Sequence, residues 1–128
     1  MNTITRWIKR LEARIISPVT VSASGGAVTS GAAFRGVFVS NLGASAAVAF
    51  DLPAARVGMR VNAIVQAAQP LRLEPSGNET IGLPSTGAQG AAGKFLTANV
   101  VTARISLICV TAGQWNSISS VGTWTTEP

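Results

Sequence analysis

The stretch Val57-Gly58-Met59-Arg60-Val61-Asn62-Ala63-Ile64-Val65-Gln66 decides the fold class. Val57, Met59, Val61, Ala63 and Val65 share one register, and Gly58, Arg60, Asn62, Ile64 and Gln66 share the other. Successive side chains of a strand point to opposite faces of the pleat, so this alternation predicts a strand with one buried face. Only Ile64 breaks the polar register.

The same texture extends outward in both directions. Upstream, Val37-Phe38-Val39 leads into the turn signal Ser40-Asn41-Leu42-Gly43, and the run Ala46 to Leu52 stops at Pro53. Downstream, Leu71 and Leu73 form a short strand before the turn Glu74-Pro75-Ser76-Gly77-Asn78. Phe95 to Val110 holds two strands around Asn99 or one long bent strand, and Gly113-Gln114-Trp115 to Gly122-Thr123-Trp124 predicts a last hairpin. Leu83 to Lys94 is the longest loop candidate, an exposed finger. Short strands recurring every 8 to 12 residues or so, without a second helical period, predict a mainly β fold, an antiparallel sandwich or barrel. No internal repeat is evident.

The first residues behave differently. Ile4, Trp7, Ile8, Leu11 and Ile15 make a single apolar stripe about 100° wide at helical spacing. Arg6, Lys9 and Arg10 lie opposite the stripe, and Arg14, flanking it with Glu12, extends the basic face. Thr3 suits the N-cap, and Pro18 disfavours helical geometry at Ser17. The expected organisation is an N-terminal amphipathic α-helix over residues 1–17, a small-residue linker or extended segment over 18–35, and a β-domain over 36–128. The helix predicts docking or bundling through its stripe; a peripheral membrane anchor, a nucleic-acid contact and a transit peptide are weaker alternatives. Basic residues inside the would-be apolar region argue against a secretory signal.

Composition narrows the chemistry. The 128 residues carry a formal net charge of +5, yet only 12% are charged, against about 25% in ordinary soluble domains. Arg6, Lys9, Arg10 and Arg14 supply much of the excess, so the main domain is close to balanced. A chain this poor in charge either has much of its surface covered by partners or relies on hydroxyls and backbone for solvation; coverage is the favoured reading. There is no histidine and no tyrosine, and Cys109 is the single cysteine. That removes histidine-assisted nucleophiles, histidine metal sites and thiolate clusters, and no catalytic, cofactor or metal residue is predicted. Cys109, set in Ile105-Ser106-Leu107-Ile108-Cys109-Val110, reads as a small buried hydrophobe. Glu74 and Glu79 flank a predicted turn and read as solvated turn residues in preference to a glycosidase pair. Gly87 to Phe95 fails the phosphate-loop spacing, with Ala88 where the first glycine belongs and Phe95 where the hydroxyl belongs. Asn78-Glu79-Thr80 matches a glycosylation acceptor but reads as a turn. Trp115 and Trp124 are expected in the core or between subunits, with a glycan-stacking platform as the alternative.

Several stretches resemble small structural proteins of tailed bacteriophages. Phe50-Asp51-Leu52-Pro53-Ala54-Ala55-Arg56-Val57-Gly58-Met59-Arg60-Val61 resembles the "LP-x-A-x-x-G" stretch of phage fibre and knob domains. Leu71 to Ile81 resembles their short strand followed by proline, Gly-Asn and isoleucine, and the Gln114-Trp115 to Thr123-Trp124 ending is similar to their final strands. The resemblance covers roughly residues 48–125. It implies a non-enzymatic virion protein assembled in the bacterial host cytoplasm, a homotrimer that decorates or cements capsids or forms a head or tail fibre. The implied partners are other copies and a major capsid or other virion protein, with a glycan as the alternative for a receptor-binding tip. No nucleic acid, cofactor or metal is implied.

Overall fold

The structure, a computed structural model, describes residues 17–128. The predicted helix with Ile4, Trp7, Ile8, Leu11 and Ile15, and its basic face, lie outside the described residues. The described chain is mainly β, in two mixed sheets. The strands run β1 (Val19–Val21), β2 (Gly26–Ala27), β3 (Val37–Ser40), β4 (Val48–Asp51), β5 (Arg60–Ile64), β6 (Leu71–Glu74), β7 (Thr80–Ile81), β8 (Leu96–Ala98), β9 (Arg104–Thr111), β10 (Gln114–Val121) and β11 (Thr125–Thr126). One short helix, α1 (Ser30–Phe34), precedes β3; Thr29 caps it by accepting from the backbone N–H of Ala32 at 3.2 Å.

The first half of the chain winds. β1, β3 and β5 lie side by side and parallel in a six-stranded sheet of order β1-β3-β5-β9-β10-β7. Their successors β2, β4 and β6 lie parallel in a five-stranded sheet of order β11-β8-β6-β4-β2. Each strand crosses to the other sheet, and the chain returns beside its predecessor in the same direction. A parallel neighbour needs a crossover, and here the crossover is itself a strand. The second half closes the structure with antiparallel pairs: β9 on β5, β10 on β9, β8 on β6 and β11 on β8.

Five of the nine pairings are parallel, so the expected antiparallel arrangement is corrected to a mixed one. The physical reason lies in the connections. Short, turn-rich links suggest hairpins, but most of them here are corners between sheets. The true hairpin joins β9 to β10 through Ala112-Gly113, and the chain after Gly122 crosses to the other sheet as β11. Residues 18–35 are extended only in part and are no mere linker: β1 pairs with β3, β2 pairs with β4, and Ala33 of α1 is fully buried. Nor is Leu83 to Lys94 a free finger. Gly82 and Gln89 bridge, and Gly90 N–H and Gly93 N–H donate back to Ile81 O and Glu79 O at 2.9 Å each. The loop therefore folds over β7 and covers that edge of the sheet.

One hydrophobic cluster serves both sheets. Val37, Val39, Val61, Ala63, Ile105, Leu107 and Trp115 come from the six-stranded sheet, and Val48, Phe50, Leu71, Leu73 and Leu96 from the five-stranded one. Each fully buried valine, leucine or phenylalanine contributes roughly 1.5–3 kcal/mol by removal from water.

Corners between sheets interrupt the ladder and strand backbone polar groups. Asn41, fully buried at the end of β3, meets that need for the next winding. Its Oδ1 accepts from the N–H groups of Gln66 (2.8 Å) and Ala67 (3.0 Å), and its Nδ2 donates to the carbonyls of Ala67 (3.2 Å) and Gln69 (3.1 Å). Beside it, the Ser40 hydroxyl donates to Gln66 Oε1 and accepts from Leu42 N–H. The first corner depends on Gly25, at φ +79°, where an added Cβ would lie 2.1 Å from the carbonyl oxygen of Ala49.

Asn41→Ala leaves buried backbone groups without partners and is expected to cost about 2–4 kcal/mol in urea unfolding. Asn41→Asp keeps the acceptor but turns a second oxygen toward two carbonyls. The introduced carboxyl is favoured in its protonated form in the folded state, so that variant should lose stability as pH rises through and above the carboxylate range. Gly25→Ala combines left-handed strain with a backbone clash and should cost at least about 2 kcal/mol in the same measurement.

Candidate assembly surface

The register of the six-stranded sheet defines its outer face. Val19, Phe38, Asn62, Ser106 and Ser119 are neighbours across one row. Val21, Ser40, Ile64, Arg104 and Val121 form the next. Between them Val39, Ala63 and Ile105 point into the core, so alternation turns these rows outward, although Ser40 is itself covered. Two depressions meet on this face. One, of about 370 Å³, is lined by Phe38, Ile64, Arg104 and Val121 among others. The other, of about 480 Å³, is lined by Phe34, Arg35, Phe38, Arg60 and Ile118. α1 sets Phe34 at the rim, and Ser17, where the described chain begins, lines the same depression.

The exposed large hydrophobics concentrate here. Phe38 is 46% exposed, Phe34 50% and Ile118 59%, and Val19, Val21 and Val121 are exposed as well. Single exposed hydrophobics are ordinary, but a contiguous group around a depression makes this face the candidate interaction surface. Charge on this sheet has one sign. Arg60 and Arg104 are the charged residues in its strands, and none of its strands carries Asp or Glu. Neither arginine makes an ion pair among the described residues. Asn62 makes local polar contacts within the sheet: its Oδ1 accepts from Ser106 Oγ at 2.7 Å and its Nδ2 donates to Val37 O at 3.3 Å.

The outer face of the five-stranded sheet is built differently. Its rows carry Ala27, Asp51 and Glu74, then Ala49, Arg72, Thr97 and Thr125. Arg72 lies over the Phe95 ring at 4.8 Å from its centroid, and Lys94 pairs with Glu127 at 3.3 Å. Desolvation, with the nearby carboxylates of Glu127 and Asp51, holds the Glu74 carboxyl above the usual carboxylate range, and Arg72 offsets this in part. Small and charged side chains of this kind suit contact with water. The apolar excess sits on one sheet.

The residues singled out in the sequence are dispersed. Trp115 is fully buried and Trp124 nearly so, both in the chain's own core, so neither offers a ring face for a sugar to stack on. The indole N–H of Trp124 donates to Arg104 O at 3.1 Å, whereas that of Trp115 has no partner among the described residues. Glu79 Oε1 accepts from the N–H of Ala55 at 2.8 Å, which ties the turn after β6 to the turn before β5. The Thr80 hydroxyl of the acceptor triplet donates to Gln89 Oε1 at 2.6 Å. Among the described residues no group of His, Cys, Asp and Glu is placed to hold a metal ion, and no helix is long and apolar enough to cross a membrane. The apolar face itself was missed in the sequence. Its signal was Ile64, the residue that spoils the alternation around β5, together with Ile118 and Val121 among the serines of β10.

No family model matches the chain, and no curated protein matches it.

Cys109 is fully buried on β9, and its thiol donates to Thr111 O at 3.2 Å. Burial pushes the thiol up, which leaves little thiolate at neutral pH. A disulfide-exchange reagent should therefore leave the native protein unmodified at pH 7–8 or so and titrate one thiol after denaturation.

Proposed function

We propose that this chain is a non-enzymatic structural protein of a tailed-bacteriophage virion, acting as a homo-oligomer that decorates or cements the capsid. In this reading its two sheets form a sandwich, and residues 1–17 provide the attachment element. The observation that carries the assembly part is the outer face of the six-stranded sheet, with half-exposed Phe34, Phe38 and Ile118 around two depressions and no acidic residue in any of its strands. A monomer would leave that apolar area in water, while an oligomer or a shell surface covers it. The low charge of the whole chain points the same way. The virion setting and three-fold number rest on the resemblance of Phe50 to Val61, Leu71 to Ile81 and the Gln114 to Trp124 ending. A protein that binds only the assembled shell stabilises it by mass action, which is how cementing would work.

Sedimentation equilibrium of the full chain and of a chain lacking residues 1–17 tests the assembly part. The expected result is the same oligomer, a trimer, for both. A monomer in both, up to protein concentrations of about 100 μM, overturns the reading, since that is weaker than the affinity of a standard-sized interface. Loss of the oligomer on truncation moves assembly to the N-terminal segment and overturns the role given to the sheet face.

A further inference from the structure

The partner of the six-stranded face can be identified from what the rest of the molecule offers. If the face met its own counterpart on a second copy, Arg60 and Arg104 would be covered from both sides. No strand of the sheet carries an acidic residue, so neither cation would meet a carboxylate there. A buried cation without a partner costs several kcal/mol. Two-fold pairing of this face is therefore disfavoured. The carboxylates lie on the other sheet: Asp51 and Glu74 are neighbours in register, and Glu127 is close enough to Glu74 to act on it. Around them Ala27, Ala49 and Thr97 are small and face outward, with Arg72 between Ala49 and Thr97 in the same row. Half-exposed Phe38 and Ile118 on one face would meet those small side chains on the other.

We propose that copies of this chain associate head to tail, the six-stranded sheet of one copy packing on the outer face of the five-stranded sheet of the next, with Arg60 and Arg104 meeting Asp51 and Glu74. The proposal deepens the assembly reading above and rests on it. A contact between two different patches is heterologous, and such contacts close into a ring when the rotation permits. Within such an assembly the apolar face of each copy is covered by the next. The pairing also explains the crowding of carboxylates at Glu74, which Arg72 relieves only in part within one copy. A neighbour's arginines complete the neutralisation.

The test uses the full chain and charge exchange. A chain carrying Arg60→Glu and Arg104→Glu is expected to sediment as a monomer, as is one carrying Asp51→Lys and Glu74→Lys, each with association weakened about a hundredfold or more. A chain carrying all four substitutions restores opposite charges across every contact and should regain the oligomer. Far-UV circular dichroism and a cooperative unfolding transition establish that each variant is folded. Association of the unaltered chain is measured across about 0.05 to 1 M NaCl as a control independent of mutation, and it should weaken with salt. An oligomer that survives Arg60→Glu and Arg104→Glu, a folded four-fold variant that stays monomeric, or association that salt leaves unchanged overturns the pairing while the assembly reading stands. A monomeric unaltered chain overturns both.

Discussion

The windings of this fold are locked at their corners, and Asn41 is the lock. A strand that leaves one sheet for the other must turn through residues that no ladder can pair, and here those residues are buried. One carboxamide satisfies two N–H groups and two carbonyls of the next winding. Because all four partners lie between Gln66 and Gln69, the contact fixes the register between β3 and β5 and, one corner later, between β4 and β6. Val37 then faces Val61, and Val48 faces Leu71. A slip of one residue in either sheet would turn the core valines outward. The polar corner and the apolar core therefore specify the same arrangement.

The two ends of the winding are finished unequally. At the far end the β9–β10 hairpin lies against β5, and the loop through Gln89 closes over β7. Gln89 Nε2 donates to Trp115 O and Asn116 Oδ1, which fastens that loop to β10. At the near end β1 and β2 are the outermost strands of both sheets, and all three residues of β1 are exposed. Stacked windings ordinarily need a cap where the stacking stops. The outer face of the larger sheet continues from this open edge through Val19 and Val21, so edge and face form one surface.

Much of this was legible residue by residue. Alternation located β5, and Met59, Val61, Ala63 and Val65 are buried as it requires, whereas Val57, ahead of the strand, is exposed. The Leu71–Leu73 strand, the break at Pro53 and the division of Phe95–Val110 around Asn99 into β8 and β9 also match. Strand direction was not legible, because parallel and antiparallel neighbours have the same two-residue period and differ only in where the connection goes. The repeat escaped notice for a related reason. Three windings share a path, but their corners differ in length, so no constant spacing exists to detect. β2, two residues of glycine and alanine, has no pattern at all and exists because β4 is beside it. The tryptophans, expected in the core or between subunits, lie in the chain's own core. The apolar face was hidden because its members come from β1, α1, β3, β5, β9 and β10, and only register brings them together.

The low charge of the chain posed a choice between surface covered by partners and surface solvated by hydroxyls and backbone. The fold puts different kinds of outward residue on the two sheets. On the five-stranded sheet, Thr97, Thr125 and the alanines face outward beside Asp51, Arg72 and Glu74, and Arg72 shelters Phe95. That face needs no cover. On the six-stranded sheet the outward rows hold phenylalanine, isoleucine and valine, with two arginines as the charges in its strands. A composition averages over both and shows only a protein poor in charge. Separated by register, the same residues make one face that water can wet and one that favours a surface of opposite charge.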